Sequence, residues 1–482
     1  MLDLRPVAYV IGLLVAALGV AMLLPMAMDW WVGNGHWRVY LQCGLLLVIG
    51  GGLTALACAS GTGRGLNLQQ IFVLTTGVWV VLPLVGALPL MAGEPYLGFT
   101  DAYFEAMSGM TTTGTTVITG IENLPPGVNL WRCILQWVGG LGIVIVAMLF
   151  LPVMKVGGMQ FFRSEGFDTL GKVLPRAMDI SAALVQIYIV LTLACTVTFL
   201  ALGMTGFEAV STAMSAISTG GYAVSDASFA NYGAGAQYSA AVFMILGSLP
   251  FVRFIQAMQG DLKPLWRDPQ VRAYLRWIAY AVGAVTLYEV LARGREPIGM
   301  LQEATFNIVS VFSGTGFTSA DLTQWGTFPF VILIITGLIG GCTSSTGCSV
   351  KVFRYLILFE AIRVQIRRLQ NPSSVVIPRY QGRTVDDDVL NSVIVFFTMF
   401  ILTLGVLTVG LSMTGLSTKS AITAAWTAIA NVGVVFGPEV GSSGAVHAFP
   451  ASAKWLMIAG MLVGRLELLS VYVLLMPRFW RG

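Results

Sequence analysis

Charge is what this chain has least of. Of its 482 residues only 10% are Asp, Glu, Lys or Arg, while 56% are hydrophobic. A soluble globular domain carries about 25% charged residues, so a water-soluble fold is excluded. Histidine is nearly absent: His36 and His447 fall in expected outer loops and read as solvated side chains, not ligands. The six cysteines (Cys43, Cys58, Cys133, Cys195, Cys342, Cys348) mostly lie inside apolar runs, with no metal spacing and no disulfide framework. They read as buried free thiols. There is no Ser/His/Asp set, no His-Glu-x-x-His, no paired carboxylates on an apolar span and no cofactor fingerprint. All of this speaks against an enzyme. No connection is long enough to fold as a sensor domain, which argues against a receptor; the longest, about 367–390, is basic and holds Asp386, Asp387 and Asp388. The net charge of +4 is a topology signal and gives no reason to expect nucleic-acid binding.

What the chain has instead is long apolar runs. A bilayer is crossed by about twenty such residues. The runs give about ten crossings: 7–27 and 40–60, then 71–91 and 134–153, 182–204 and 238–258, 274–292 and 327–366, 391–414 and 453–476. The 327–366 element is too long for one span and reads as interrupted. The 7–27 run has the length of a full span and no small-residue cleavage site, so it is expected to be retained. Lys155, Arg163, Lys172, Arg176, Lys263, Arg267, Arg272, Arg367, Arg368, Arg379 and Arg383 cluster in alternate connections. By the positive-inside rule both termini are then cytoplasmic. The opposite face is acidic, with Asp101, Glu105, Glu122, Glu208, Asp226, Glu303, Asp321 and Glu439 among others. Such a vestibule concentrates cations.

Four glycine-centred segments lie roughly a hundred residues apart: Thr111-Thr112-Thr113-Gly114, Ile217-Ser218-Thr219-Gly220, Ser313-Gly314-Thr315-Gly316 and Ala430-Asn431-Val432-Gly433. Each follows a short helix-compatible stretch and sits between two apolar runs. Glycine tolerates φ > 0. Four such turns around an axis would stack carbonyl and hydroxyl oxygens able to replace the water shell of a monovalent cation. The half-helices would aim their partially negative C-termini at the same point. Asp101, Glu105, Glu208 and Glu303 either attract ions or cap these half-helices. The expected fold is therefore an all-α polytopic membrane protein. Two N-terminal helices (1–66) precede four pseudo-symmetric helix–pore-loop–helix repeats around one pore, at 67–160, 161–262, 263–372 and 373–482.

Two anomalies stand out. Residues 337–350, followed by Lys351, hold Gly340, Gly341, Thr343, Ser344, Ser345, Thr346 and Gly347, too many glycines and hydroxyls for a straight membrane helix. A break is expected, with the loop's own hydroxyls meeting freed backbone groups. Arg465 lies inside the 453–476 run, where a charge faces either an aqueous cavity or a partner. A pair with Glu467 is disfavoured, because i and i+2 point to different helix faces.

The stretch from Phe99 through Asp101, Tyr103, Phe104, Glu105 and Ser108 to Thr113-Gly114 resembles the first pore loop of the Trk/Ktr/HKT superfamily of potassium transporters. The resemblance extends over essentially the whole chain and is strongest to bacterial Trk membrane subunits. It implies potassium uptake across the bacterial inner membrane, with K⁺ held at the four glycine segments and no covalent cofactor. It further implies that the 337–350 loop is a gate below the filter and that Arg465 is an electrostatic barrier in the pore. A homodimer and a cytosolic, nucleotide-binding TrkA-type ring are the implied partners. Glycine in all four segments favours K⁺ within the superfamily, since serine in the first marks many sodium-selective members. A sodium-selective or Na⁺- or H⁺-coupled transporter of the same fold is the alternative.

Overall fold

The computed structural model describes residues 3–61, 66–154, 157–159, 161, 177–371 and 377–481. Lys155, Arg163, Lys172, Arg176 and the expected repeat boundaries at 160 and 372 lie outside the described residues. The chain is almost wholly helical; its one described sheet is a hairpin pairing Arg379–Tyr380 with Arg383–Thr384. Among the described residues, seven helices are long and apolar enough to span a bilayer, or nine if each of two bent pairs is one span. The expected eighth element, 327–366, is indeed interrupted. Thr327–Ile339 is apolar but only 13 residues long, and the chain resumes as Val352–Gln370 beyond a loop.

The bent pairs fall in the expected crossings over 238–258 and 453–476, each of which is broken by a sharp bend. Ala234–Ser248 and Phe251–Met258 meet at 94°. Pro250 stands between them, unable to donate a backbone hydrogen bond or continue a helix. Ala451–Arg465 and the segment Leu469–Leu475 meet at 107°, with Glu467 and Leu468 at φ 63° and 46°. Non-glycine residues seldom hold such angles unless their surroundings impose them.

At the N-terminus, Arg5–Ala21 packs on Trp37–Cys58 through small residues. A Cβ on Gly51 would lie 2.5 Å from the Gly12 carbonyl, and one on Gly19 would lie 2.8 Å from that of Gly44. This is the close backbone approach by which helices associate in lipid.

Four short helices enter between the spans: Phe99–Met110, Gly206–Ile217, Pro297–Ser313 and Thr418–Ala430. The 12 residues of the first rise about 18 Å, roughly half a membrane. Their starts are signalled locally. Thr205 and Glu208 form a capping box, Glu296 accepts from the N–H groups of Ile298 and Gly299, and Ser417 accepts from Ser420. Each then continues into a buried segment that packs against its neighbours.

Candidate functional site: a four-fold ring above an intramembrane loop

The pore segments close on one another in cyclic order. A Cβ built on Gly114 would lie 2.2 Å from the Gly220 carbonyl oxygen, and one on Gly221 would lie 1.9 Å from that of Thr315. One on Gly316 would lie 2.1 Å from that of Val432, and one on Gly433 would lie 2.5 Å from that of Thr113. All four glycines have φ between 82° and 95°. Thus the carbonyls of residues 113, 220, 315 and 432 form a ring, each closed against the glycine of the preceding segment in cyclic order. Together the four glycines line the base of a cavity of about 530 Å³.

This geometry corrects one register. Gly221, not Gly220, is equivalent to Gly114, Gly316 and Gly433, so the second segment is Ser218-Thr219-Gly220-Gly221 and Ile217 ends the helix before it. The left-handed residues preceding the ring agree: Thr112, Thr219, Gly314 and Asn431. So do the helix ends. The N–H groups of Thr113, Gly220, Thr315 and Val432 donate to the carbonyls of Ser108, Ser215, Ser310 and Thr427. A hydroxyl residue six positions before each ring glycine was the available sequence signal, hidden by the misplaced register.

The hydroxyls brace the ring. Thr111 Oγ1 lies 2.8 Å from Thr113 Oγ1, and Ser313 Oγ lies 2.7 Å from Thr315 Oγ1. Asn431 Nδ2 donates to Thr113 Oγ1 at 2.8 Å, tying the fourth segment to the first.

The 340–351 loop is fully buried beneath the second and third segments. Its own hydroxyls meet part of the freed backbone, as expected: Ser345 donates to Cys342 O and Ser349 to Leu338 O, both at 2.6 Å. More comes from the break at Pro250, which sequence reasoning missed. Cys342 N–H donates to Ser248 O, Thr346 N–H to Gly247 O, and Phe251 N–H to Ser344 O. Thr346 Oγ1 reaches Ile217 O at 3.1 Å and Gly247 O at 2.8 Å, and Thr219 Oγ1 donates to it at 3.2 Å. Gly340, Ser344, Ser349 and Lys351 all adopt positive φ.

Arg465 is buried and does not pair with Glu467. Its guanidinium donates to Thr346 O and Gly139 O, each at 3.2 Å, and contacts Cys348 Sγ. It therefore extends from the fourth repeat to the loop of the third and the helix of the first. Glu467 pairs instead with Lys351 at 3.0 Å and with Arg354. The two backbone breaks are thus joined by a buried carboxylate between two cations.

The acidic positions divide by role. Glu208 caps its helix. Glu105 is buried, accepting from Arg132 Nε at 2.8 Å, Thr116 Oγ1 at 2.9 Å and Val117 N at 3.0 Å. Asp101 meets Lys454 at 2.7 Å, and Glu303 accepts from Trp325 and pairs with Arg295. Asp226 accepts from Gly120 and Ile121 N–H, yet with Asp321 it still borders the cavity above the glycines, as does Arg132. Much of the expected vestibule therefore holds loops in place. His36 is another correction: it sits 3.0 Å from buried Asp29, which also accepts from Gly127 N–H.

Among the carboxylates of the outer loops, Glu439 and Asp321 have depressed pKa values. A hydrogen bond from Ser420, with others from Ser417, holds Glu439 down to about 2 against the opposing effect of burial. Thr323 lowers Asp321 in the same way. A depressed folded pKa contributes stability above the unfolded value, and that contribution is lost only as pH falls toward the folded one. Cation uptake between about pH 5 and about pH 8 should show no inflection from either group. An inflection near neutrality that disappears in Asp321→Asn would contradict this assignment.

The chain's likeness to known proteins agrees with this geometry. A family model described as a cation transport protein, TrkH, matches residues 39–481. The Trk system potassium uptake protein TrkI of Halomonas elongata is 41% identical over 414 residues, covering 86% of this chain and 84% of that protein. The Trk system potassium uptake protein TrkH of Escherichia coli is 31% identical over 486 residues, 99% of each chain. A crystal structure of the potassium transporter TrkH from Vibrio parahaemolyticus matches with a TM-score of 0.91 over 100% of both chains, at 31% identity. With four half-membrane helices, a closed glycine ring and a matching family model over most of its length, the chain belongs to the TrkH family of cation transport proteins.

Proposed function

We propose that this protein takes up potassium across the bacterial inner membrane, with K⁺ coordinated by the ring segments Thr111–Gly114, Ser218–Gly221, Ser313–Gly316 and Ala430–Gly433. The observation that carries the reading is the cyclic closure of four backbone carbonyls against four left-handed glycines. Such a ring substitutes for a hydration shell. The names of the relatives support potassium as the ion. The 340–351 loop is the gate, held to the breaks of the second and fourth repeats. Both termini are cytoplasmic, two copies form a homodimer, and a TrkA-type nucleotide-binding ring acts on the loop from the cytosol. The chain divides into the five segments 1–66, 67–160, 161–262, 263–372 and 373–482.

Growth of a potassium-uptake-deficient bacterium on low K⁺ tests the reading. Expression of this chain should restore growth. Restoration only by added Na⁺, or Na⁺ uptake exceeding that of K⁺, would overturn it in favour of the sodium-selective alternative.

Arg465 is the pore barrier of this scheme. A fixed cation below the ring, where salt screens weakly, opposes a permeating K⁺. Arg465→Ala should raise K⁺ flux in liposomes severalfold, while Arg465→Lys stays near the parent. If Arg465→Ala instead fails to insert or fold, the bonds to Thr346 and Gly139 are its role and the barrier falls.

A further inference from the structure

We propose that Gln136, on the spanning helix Pro126–Leu149, is a positioning residue that determines ion specificity by holding the second segment's carbonyl in the ring. The inference rests on the filter reading above. The Gln136 side chain is fully buried, and its Nε2 donates to Gly220 O at 2.6 Å. Its Oε1 accepts from Ser215 Oγ at 2.7 Å and from Tyr222 N–H at 3.1 Å. A backbone N–H can only donate, so the oxygen must face Tyr222 and the amide nitrogen must face the carbonyl.

The same side chain explains why the second segment departs from the others. Where they carry Thr113, Thr315 and Val432, this one carries Gly220. A Cβ there would lie 2.3 Å from Gln136 Cδ and 2.4 Å from its Oε1. The glutamine therefore occupies the volume of the missing β-branched side chain. In the first and third repeats Ser108 Oγ and Ser310 Oγ close the turn on Thr115 O and Phe317 O. In the second, Ser215 turns to Gln136 instead. One of four ring oxygens is thus fixed by an amide from a spanning helix, whereas none of the hydrogen bonds described for the other three segments places a side-chain donor on the ring carbonyl. A neutral donor on this oxygen weakens its pull on a cation and limits its inward movement, which disfavours collapse around a smaller ion.

The test is the K⁺/Na⁺ permeability ratio of the full chain in proteoliposomes, with Gly114→Ser as the reference for filter damage. Gln136→Glu keeps the acceptor for Tyr222 and Ser215 but replaces the donor; Gln136→Leu removes both. Each should lower the ratio by about fivefold, the equivalent of one hydrogen bond. An unchanged ratio in both, with Gly114→Ser shifting it, overturns the role of Gln136 and leaves the filter standing. An unchanged ratio in Gly114→Ser as well overturns the filter and this proposal together. Should the single variants misfold, steric exchange decides. Gly220→Thr alone should abolish uptake, and Gly220→Thr with Gln136→Ala should recover it; failure of the pair to recover uptake rejects the assignment.

Discussion

Gly221→Ala should abolish discrimination between K⁺ and Na⁺, although the residue lies outside the four glycines that a Thr-Gly alignment selects. Two costs combine. At φ +82° a Cβ is strained by about 1–2 kcal/mol. It would also lie 1.9 Å from the Thr315 carbonyl oxygen, which must move because backbone has nowhere to yield without opening the ring. Gly203→Ala is the control. Its φ of +93° imposes a similar conformational strain, but nothing lies within 4 Å of the added methyl. It should lower stability by about 1 kcal/mol and leave the permeability ratio alone. The ratio in liposome flux checks both. Parent-like selectivity in Gly221→Ala, or in Ala variants at Gly114, Gly316 and Gly433, would remove the ring from the mechanism.

Glu467→Ala should produce the second large effect, a loss of stability together with partner-independent leak. The carboxylate is buried between Lys351 and Arg354, themselves buried, and it ties the end of the 340–351 loop to the break in the last spanning element. Its removal leaves two uncompensated cations in a low-dielectric interior, at a cost of about 3–5 kcal/mol. Thermal unfolding in detergent reports the first consequence and K⁺ efflux from loaded liposomes the second. Adding Lys351→Met should recover part of the loss, because the pair is coupled. A Glu467→Ala protein that melts like the parent and stays closed would show that the loop is held by its backbone bonds alone.

The register of the second segment shows how the sequence could mislead. Thr219-Gly220 looks like Thr113-Gly114 and Thr315-Gly316, so local similarity made Gly220, not Gly221, the counterpart of Gly114 and Gly316. Glycine stands at 220 for another reason: a glutamine 84 positions earlier fills its side-chain space. A steric cause so distant leaves no local trace. The hydroxyl residues at 108, 215, 310 and 427 held the correct spacing, but the role of their backbone carbonyls as acceptors of the N–H groups of residues 113, 220, 315 and 432 emerges only once the helices are seen to end on them. The bends near 250 and 467 differ in the same way. The break at Pro250 has a local cause, a residue that cannot continue a helix, which the reading of 238–258 as one crossing overlooked, whereas the break at Glu467 follows from partners on another repeat.

From the sequence alone came the membrane class, the four-fold repetition, the half-length pore helices, the interruption over 337–350 and the anomaly at Arg465. Each rests on composition, on apolar run length or on one residue's backbone preference, all of which act locally. Tertiary structure decided which glycine closes each turn, which carbonyls the loop and Arg465 engage, and that Glu467 serves Lys351 and Arg354. Those choices depend on groups far apart in the chain meeting in a medium without water, where every buried donor and charge must find a partner within the protein.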